Sequence, residues 1–364
     1  IENNGNFDGS WTERAFIGLM ETSDPASNIW EDKGFVVCSA SDKGKTDYGR
    51  SSINDWEGYF KINAIDPTYI ITENGEHWLI YGSWHSGIAA LQVNPEDGKP
   101  LNALGNPWDI TGEDNSGYGK IIATRGASRW QASEGPEVIY RDGYYYLFLA
   151  YGSLSVEYNT RVCRSRNIDG PYVDIHGNSA MGSAQLYPIL TAPYRFDNSY
   201  GWVGISHCGI FDDGAGNWFY TSQGRFPVNV GGNEYSNAIM MGHLRSIRWD
   251  ANGWPLVMPE RYGAVPQAPI TENEIAGDWE HLALTNNTGT QRTSETMTYD
   301  LDTHKITSGS WKNATWTFDA ATQTITTSAG VVLYLQREVD WEASPRTHTI
   351  VYAAQGNQKT YWGK

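Results

Sequence analysis

The sequence predicts an all-β protein made of propeller blades, followed by a small separate β-domain. Helical periodicity is almost absent, and short apolar or alternating runs are separated by Asn-Gly, Asp-Gly and Gly-rich turns. Three segments resemble one another at a spacing of about 70 residues, which fits four-stranded blades. Near residue 264 the pattern changes to short Thr-rich strands, which indicates a second domain.

The three similar segments begin at Ile65, Glu134 and Ser206. Each has a polar residue at its head, then an apolar strand, a tight turn and an aromatic strand that ends near a glycine. The polar residues are Asp66, Glu134 and His207. Strands that begin a propeller blade lie near the central axis, so we expect these three side chains to approach one place.

The N-terminal stretch "RAFIGLMETSDPASNIWEDKGFVV" matches only the later half of such a repeat. We therefore expect residues 1–264 to be a propeller whose first blade is largely absent, with residue 1 inside the fold and not at its start. The stretch "GAVPQAPITENEIAGDW" has the prolines and polar run of a linker. After it, residues 271–364 predict a small β-barrel or sandwich.

Composition restricts the partners. The chain has 26 basic and 42 acidic residues, a formal charge of −16, which argues against nucleic acid and anionic membranes. Aromatic residues make up 13% of the chain, including 16 Trp and 22 Tyr. Such rings suit stacking on sugar faces, but β-rich proteins also carry many aromatic residues, and composition alone leaves both interpretations open.

The cysteines and the apolar runs exclude two further classes. Cys38, Cys163 and Cys208 are far apart without CxxC spacing, which allows one disulfide at most and makes a zinc site improbable. No apolar run approaches the ~18 residues that a membrane-spanning helix needs. The first residues do not form a signal peptide, and we expect a mature or processed product.

Asp66 and Glu134 are the main catalytic candidates. Cleavage of a glycosidic bond requires one carboxylic acid to protonate the leaving oxygen and a second carboxylate to act on water or on the sugar. Alternatively, Asp66 before a proline is a turn residue, and Glu134 before Gly-Pro is a solvated loop end. Their corresponding places in two repeats favour the catalytic interpretation.

Four other residues are candidates with structural alternatives. His207 is either a structural histidine or part of a metal or water site. Arg225, in "QGRFP", is either a hydrogen-bonding fork for sugar hydroxyls or an ion-pair partner. Trp84 is a stacking platform or a core ring. Glu137, three residues beyond Glu134, is expected on the opposite face of the strand.

The motifs "NAIDPTYIIT", "HWLIYGSWHSGI", "SEGPEVIYRDGYYYLFLAYGSL", "SHCGIFDD" and "QGRFP" occur in this order. In that combination they resemble the arabinanases of glycoside hydrolase family 43, and the resemblance covers most of residues 14–260. The part that begins "IAGDWEHLAL" resembles the additional β-domain of two-domain extracellular arabinanases. The resemblance implies a five-bladed propeller, an extracellular location and hydrolysis of α-1,5-linked arabinofuranose with inversion.

The resemblance also implies residue roles. Glu134 matches the general acid, and Asp66 matches the aspartate that orients this acid and raises its pKa. Ser83 and Trp84 fall in the stretch that lines the substrate cleft. His207 matches the histidine that holds a calcium ion together with water molecules.

The sequence departs from the family at the general base, an aspartate in a His-Asp-Pro strand, because no such motif occurs here. Asp24-Pro25 lies in the wrong half of a blade. We expect a separate N-terminal piece to carry the base and this chain alone to be inactive. A sugar-binding propeller without catalysis, and a β-xylosidase or arabinofuranosidase of the same family, are the alternatives, and endo or exo action stays open.

Overall fold

The computed structural model describes residues 15–39, 63–84, 87–102, 116–125, 133–182, 185–197 and 199–364. Strands dominate this part of the chain, and its helical segments are short 3-10 turns at Pro25–Ser27, Ser116–Tyr118, Ser236–Ala238 and Glu272–Glu274. None of the helices among these residues is long and apolar enough to cross a membrane.

The chain divides into two compact units. Unit 1 comprises Ile1–Ala150 and Cys163–Ala184, and unit 2 comprises Tyr151–Val162 and Gln185–Lys364. Cys38, Cys163 and Cys208 are all buried, and none of them forms the disulfide that the sequence allowed.

The first two sheets lie in unit 1. An antiparallel pair is formed by β1 (Phe16–Glu21) and β2 (Glu31–Cys38). The first four-stranded sheet consists, in spatial order, of β3 (Thr68–Ile71), β4 (His77–Tyr81), β5 (Ile88–Val93) and β6 (Lys120–Ala123).

The next four-stranded sheet has the order β10-β9-β8-β7. Its strands are β7 (Ser133–Arg141), β8 (Tyr144–Tyr151), β9 (Asn159–Ser165) and β10 (Ile189–Thr191). At the turn between β7 and β8, Asp142 and Gly143 have φ values of 50° and 80°. Positive φ at both central residues is the two-residue hairpin turn for which Asp-Gly is favoured, as the sequence predicted.

Unit 2 contains the third four-stranded sheet. After the short strand β11 (Tyr194–Arg195), its members in spatial order are β12 (Gly209–Asp212), β13 (Trp218–Arg225), β14 (Met240–Trp249) and β15 (Pro255–Val257). Each of the three sequence repeats therefore opens one four-stranded sheet, which is the arrangement that a propeller blade requires.

The alignment of the repeat heads differs by one residue from the sequence-based expectation. Asp66, Gly135 and His207 share a left-handed backbone, with φ values of 55°, 54° and 58°. The structural counterpart of Asp66 in the second repeat is thus Gly135, and Glu134 precedes that position. A glycine adopts this conformation without the steric cost that any other residue bears, so the residue types alone do not reveal the shift.

The C-terminal segment forms a nearly closed, barrel-like sheet of eight strands in the order β19-β18-β16-β24-β23-β22-β21-β20. The strands of this segment are β16 (Gly277–Leu284), β17 (Arg292–Thr293), β18 (Glu295–Asp300), β19 (Lys305–Ile306), β20 (Trp316–Asp319), β21 (Thr324–Thr327), β22 (Val332–Asp340), β23 (Thr347–Gly356) and β24 (Lys359–Gly363). Outside the eight, β17 pairs in parallel with β11.

Both faces of this sheet are buried in part. Trp279, Tyr299, Trp316 and other large side chains fill its interior. On the outer face, Leu282 and Trp362 join a second core that contains residues from β10, β11 and β15. The predicted second domain is therefore packed within the same unit as the third four-stranded sheet.

Candidate active site

Asp66, Ser83 and Trp84 lie at one end of the sheet β3–β6. Thr68 pairs with Ile80, so the segment before β3 and the segment after β4 are neighbours. The amide of Gly82 donates to the carbonyl of Ile65 at 3.0 Å and holds the two segments together. Antiparallel pairing thus places an acidic residue beside a serine and a tryptophan that are distant from it along the chain.

The N-terminal end of β7 completes the group within unit 1. The amide of Trp84 donates to the carbonyl of Ser133 at 2.9 Å. The amide of Gly135 donates to Oδ2 of Asp66 at 3.2 Å. Glu134 lies between these two contact points, so both neighbouring peptides are held in place.

The carboxylate of Glu134 receives two side-chain contacts on one oxygen. The indole Nε1 of Trp84 donates to Oε2 at 2.7 Å, and Oγ of Ser83 donates to the same oxygen at 3.0 Å. Ser83 is buried, whereas Trp84, Glu134 and Asp66 are partly exposed. The structure therefore gives Ser83 and Trp84 a direct contact with the candidate acid, which the sequence motif did not indicate.

The backbone around this group is strained. Asp66 and Trp84 have φ values of 55° and 54°, a region that costs a non-glycine residue roughly 1–2 kcal/mol. Gly87 makes the return of the loop possible, because a Cβ there would lie 2.1 Å from the carbonyl oxygen of Ala123. Its amide also donates to the carbonyl of Trp84 at 2.8 Å. Strain of this kind is concentrated at functional sites in folded proteins.

His207 and Arg225 lie in unit 2, at one end of the sheet β12–β15. His207 is exposed, and its Nδ1 is 3.2 Å from the hydroxyl of Tyr158. Arg225 ends β13, where its Nη1 donates to the carbonyl of Asn237 at 3.0 Å, while its Nε is buried without a hydrogen-bond partner. One nitrogen of the Arg225 guanidinium therefore stabilises the segment before β14 by a hydrogen bond.

The described residues provide few protein ligands for a calcium ion at His207. Calcium prefers six to eight oxygen ligands, whereas His207 offers one imidazole nitrogen. Among the described residues, the group that brings three His, Cys, Asp or Glu ligand atoms within 4.8 Å of one another does not include His207. An ion held here would depend on water for most of its shell, and we derive no reaction step through it.

That group consists of Glu260, Asp340 and Glu342, and it already holds a cation. The Nζ of Lys364 lies 3.0, 2.7 and 2.9 Å from their carboxylate oxygens. The Lys364 side chain is only 5% exposed, and that of Glu260 only 1%. Although burial alone would lower it, the attraction of Glu260 and Glu342 raises the pKa of Lys364 above its ordinary value. The cluster is therefore a buried ion-pair network.

Two residues of these sites could not be found from the sequence. Tyr158 meets His207 from a segment that carries no motif. Gly135 supplies the amide that binds Asp66. In the sequence, its only notable feature is its place between Glu134 and a proline. Glu137, in contrast, is a partly exposed residue of β7, three positions beyond Glu134.

Four-stranded sheets of this kind, with carboxylates at their ends, are typical of carbohydrate-active β-propeller proteins. Comparison with family models identifies the family. The model of "Glycosyl hydrolases family 43" matches residues 19–255, and that of a "C-terminal lipocalin-like domain" matches residues 259–363. Because the first match covers more than half of the chain, the chain belongs to glycoside hydrolase family 43.

Among the similar proteins are two extracellular endo-α-(1→5)-L-arabinanases. One is from Thermotoga petrophila, 30% identical over 239 residues, and the other is from Bacillus subtilis, 30% identical over 240 residues. Each alignment covers 60% of this chain and 46% of the relative, so the chain spans about half the length of these relatives. An extracellular exo-α-(1→5)-L-arabinofuranosidase from Cellvibrio japonicus is 26% identical, over 68% of this chain and 63% of its own length.

Solved structures show the same fold. The endo-1,5-α-L-arabinanase from Thermotoga petrophila and a family 43 glycoside hydrolase from Bacillus licheniformis each match with a TM-score of 0.75 at 24% identity. Each match covers 95% of this chain and 76% of the other. The predicted fold class, a β-propeller followed by a barrel-like β-domain, is confirmed.

Proposed function

We propose that this chain carries the general acid of an extracellular glycoside hydrolase that cleaves α-1,5-linked arabinofuranose in arabinan and arabino-oligosaccharides. The observation that carries the proposal is the fixed carboxylate of Glu134, with the carboxylate of Asp66 bound to the next peptide. Membership of family 43 and the names of the similar proteins support the choice of substrate and the extracellular location.

In the proposed inverting reaction, Glu134 transfers its proton to the leaving glycosidic oxygen as the bond to the anomeric carbon breaks. A water molecule attacks the opposite face of the sugar and gives its proton to a second carboxylate. Asp66 assists, because a negative charge close to a carboxylic acid disfavours its ionisation. The second carboxylate then releases its proton to solvent and Glu134 takes one up, which closes the cycle.

The second carboxylate must lie roughly 6.5–9.5 Å from the acid to leave room for water. We assign it to a separate N-terminal piece, because the His-Asp-Pro motif of the family does not occur in this sequence. Intact-mass measurement of the purified native protein tests this assignment. A second polypeptide with that motif supports it, and full activity of the chain alone contradicts it.

We further propose Trp84 and Arg225 as contacts for the sugar, and a calcium ion with its water shell at His207. Both suggestions derive from the family motifs. Trp84 is partly exposed beside Glu134, and Arg225 is partly exposed at the end of β13.

The decisive experiment compares three variants in the complete protein: Glu134→Gln, Asp66→Asn and Glu137→Gln. Loss of general acid catalysis costs about 10²- to 10⁴-fold in turnover, so Glu134→Gln should nearly abolish release of arabino-oligosaccharides. Asp66→Asn should also reduce turnover, whereas Glu137→Gln, on the same strand, should behave as wild type. Wild-type activity of Glu134→Gln would exclude the proposed role.

The same assay separates the alternatives. A binding protein without catalysis would retain arabino-oligosaccharides uncut, a possibility favoured by the missing His-Asp-Pro motif. A β-xylosidase or arabinofuranosidase would release xylose or single arabinose units from other substrates. With arabinan, a ladder of products from the first minutes indicates endo action, and one short sugar indicates exo action.

A further inference from the structure

We propose that Trp84 and Ser83 are positioning residues that fix which oxygen of Glu134 carries the transferable proton, namely Oε1. This inference rests on the proposed function of Glu134 as the general acid. It gives the two residues a role in proton transfer, in addition to the sugar contact that the sequence motif implied.

The argument starts from the chemistry of the indole group. The Nε1–H of tryptophan can only donate, so Oε2 of Glu134, 2.7 Å away, must act as an acceptor. Oγ of Ser83 reaches the same oxygen at 3.0 Å. In a neutral carboxylic acid the carbonyl oxygen is the better acceptor, and the other oxygen carries the hydrogen. Two contacts on Oε2 therefore assign the hydroxyl of the neutral acid to Oε1.

The backbone keeps this arrangement in register. The amide of Trp84 donates to the carbonyl of Ser133, the residue that precedes Glu134. Main chain and side chain of Trp84 thus contact two consecutive residues of β7, so the indole cannot shift along the strand without breaking both bonds. The loop that presents Trp84 maintains a φ of 54°, which costs roughly 1–2 kcal/mol and requires compensating contacts.

The other side of Glu134 is fixed independently. Asp66 accepts a hydrogen bond from the amide of Gly135 at 3.2 Å. The peptides on both sides of Glu134 are consequently bound, and the side-chain torsions are limited by the two contacts at Oε2. A proton donor held in this way loses little orientational freedom when the substrate binds, which is the advantage of a preorganised site.

The test uses leaving groups of different basicity in the complete enzyme. An arabino-oligosaccharide leaves as an alkoxide and needs the proton of Glu134, whereas a 2,4-dinitrophenyl arabinoside leaves as a stable phenolate and does not. Trp84→Phe keeps an aromatic ring but removes the N–H donor. We expect this variant to lower kcat on arabino-oligosaccharides about 10- to 100-fold more than it lowers kcat on the dinitrophenyl arabinoside. Ser83→Ala should give a smaller loss of the same selectivity.

Two further variants make the result decisive. Trp78→Phe is the matched control, because Trp78 lies in β4 and its Nε1 contacts a different glutamate, Glu76, at 3.4 Å. This variant should leave both substrates unaffected. Equal losses on both substrates in Trp84→Phe would overturn the inference and identify Trp84 as a sugar contact or a structural residue. If Glu134→Gln turns over arabino-oligosaccharides like wild type, the proposed function itself fails, so the two failures are distinguishable.

Discussion

Nη1 of Arg161 donates a hydrogen bond of 2.7 Å to Oδ1 of Asn286, which links the start of β9 to the loop after β16 of the barrel-like sheet. Arg161 is 1% exposed and also donates to Oδ1 of Asn159 at 2.6 Å and to the carbonyl of Leu186 at 2.8 Å. A buried guanidinium with three neutral acceptors is costly to disturb, because a buried donor that loses its acceptor is not hydrated by water instead. The C-terminal domain thus contributes directly to the order of unit 2.

Replacing Arg161 should destabilise the protein through this link. Arg161→Met leaves three acceptors without their donor, and we expect the free energy of unfolding to fall by about 3 kcal/mol. Asn286→Ala removes one acceptor and should cost about 1–2 kcal/mol. Urea unfolding of the complete chain measures both values. Asn287→Ala, at the neighbouring exposed position, is the control and should change stability by no more than about 0.5 kcal/mol; a similarly small effect of Arg161→Met would contradict this account.

Removing the ammonium group of Lys364 should have a larger effect than removing an ordinary surface lysine. Without it, Glu260 faces Asp340 and Glu342 and loses the ammonium group that lies within 3.0 Å of all three. Loss of one partner from a buried ion pair costs about 3–5 kcal/mol, which is the expected destabilisation of Lys364→Met. Burial, together with Glu342, raises the pKa of Glu260, so ionisation of this group is disfavoured most strongly once the lysine is gone. Adding Glu260→Gln to that variant removes the ionisable group and should recover much of the loss. No recovery in the double variant would mean that packing, and not charge, is responsible.

The same cluster predicts an alkaline limit of stability. The pKa of Lys364 in the folded state is raised above 10.5 by its carboxylate neighbours, although burial opposes this shift. Its contribution is therefore complete below pH 10.5 and is lost as the pH rises through the higher folded-state value. Wild type should lose stability in this range more steeply than Lys364→Met. Identical pH profiles of the two proteins would show that deprotonation of Lys364 does not cause the alkaline loss of stability.

The calcium proposal has a direct test that does not depend on activity. If His207 contributes to a hydrated calcium site, metal-free protein should bind calcium in equilibrium dialysis, and His207→Ala should weaken that binding. Tyr158→Phe keeps the ring but removes the hydroxyl that lies 3.2 Å from Nδ1 of His207, so it should have an intermediate effect. Wild-type protein that takes up no calcium would dismiss the proposal.

Local patterns were sufficient to predict the strands but not the side-chain contacts. The Asp142-Gly143 turn and the alternation of apolar residues act over a few positions, so the blades could be recognised from the sequence. The contact of Trp84 with Glu134 depends on a positive φ at a tryptophan, a conformation that its side chain disfavours and its neighbours impose. Nothing in the local sequence encodes such a tertiary constraint.

Charge pairs between residues far apart in the chain could not be predicted from the sequence either. Lys364 meets Glu260, which is 104 positions away, and in a sequence both residues resemble ordinary solvated surface charges. The order of the eight-stranded sheet has the same origin, because β16 pairs with β24 across most of the domain. Such pairings depend on how well the side chains of two sheet faces pack together, as Leu282 and Trp362 do in the second core.

Two buried histidines predict a marked loss of stability in acid. Burial, together with the charge of Lys359, lowers the pKa of His281 to about 3, and burial with Arg245 and Arg261 lowers that of His243 to about 2. In the unfolded chain each histidine binds a proton near pH 6.5, so the folded state loses stability as the pH falls below that value. The expected slope is about 1.4 kcal/mol per pH unit for each histidine between pH 6.5 and their folded-state values.

The contribution of a single histidine can be isolated. His281→Gln should reduce the acid slope by about half, because one of the two protonation sites is removed. Its Nδ1 lies 2.5 Å from the hydroxyl of Tyr352, so the amide can retain a hydrogen-bond partner there. His348→Gln, at an exposed position of β23, serves as the control and should leave the slope unchanged. Urea unfolding at pH 7 and pH 5 provides the measurement, and an unchanged slope in His281→Gln would show that the acid sensitivity arises elsewhere.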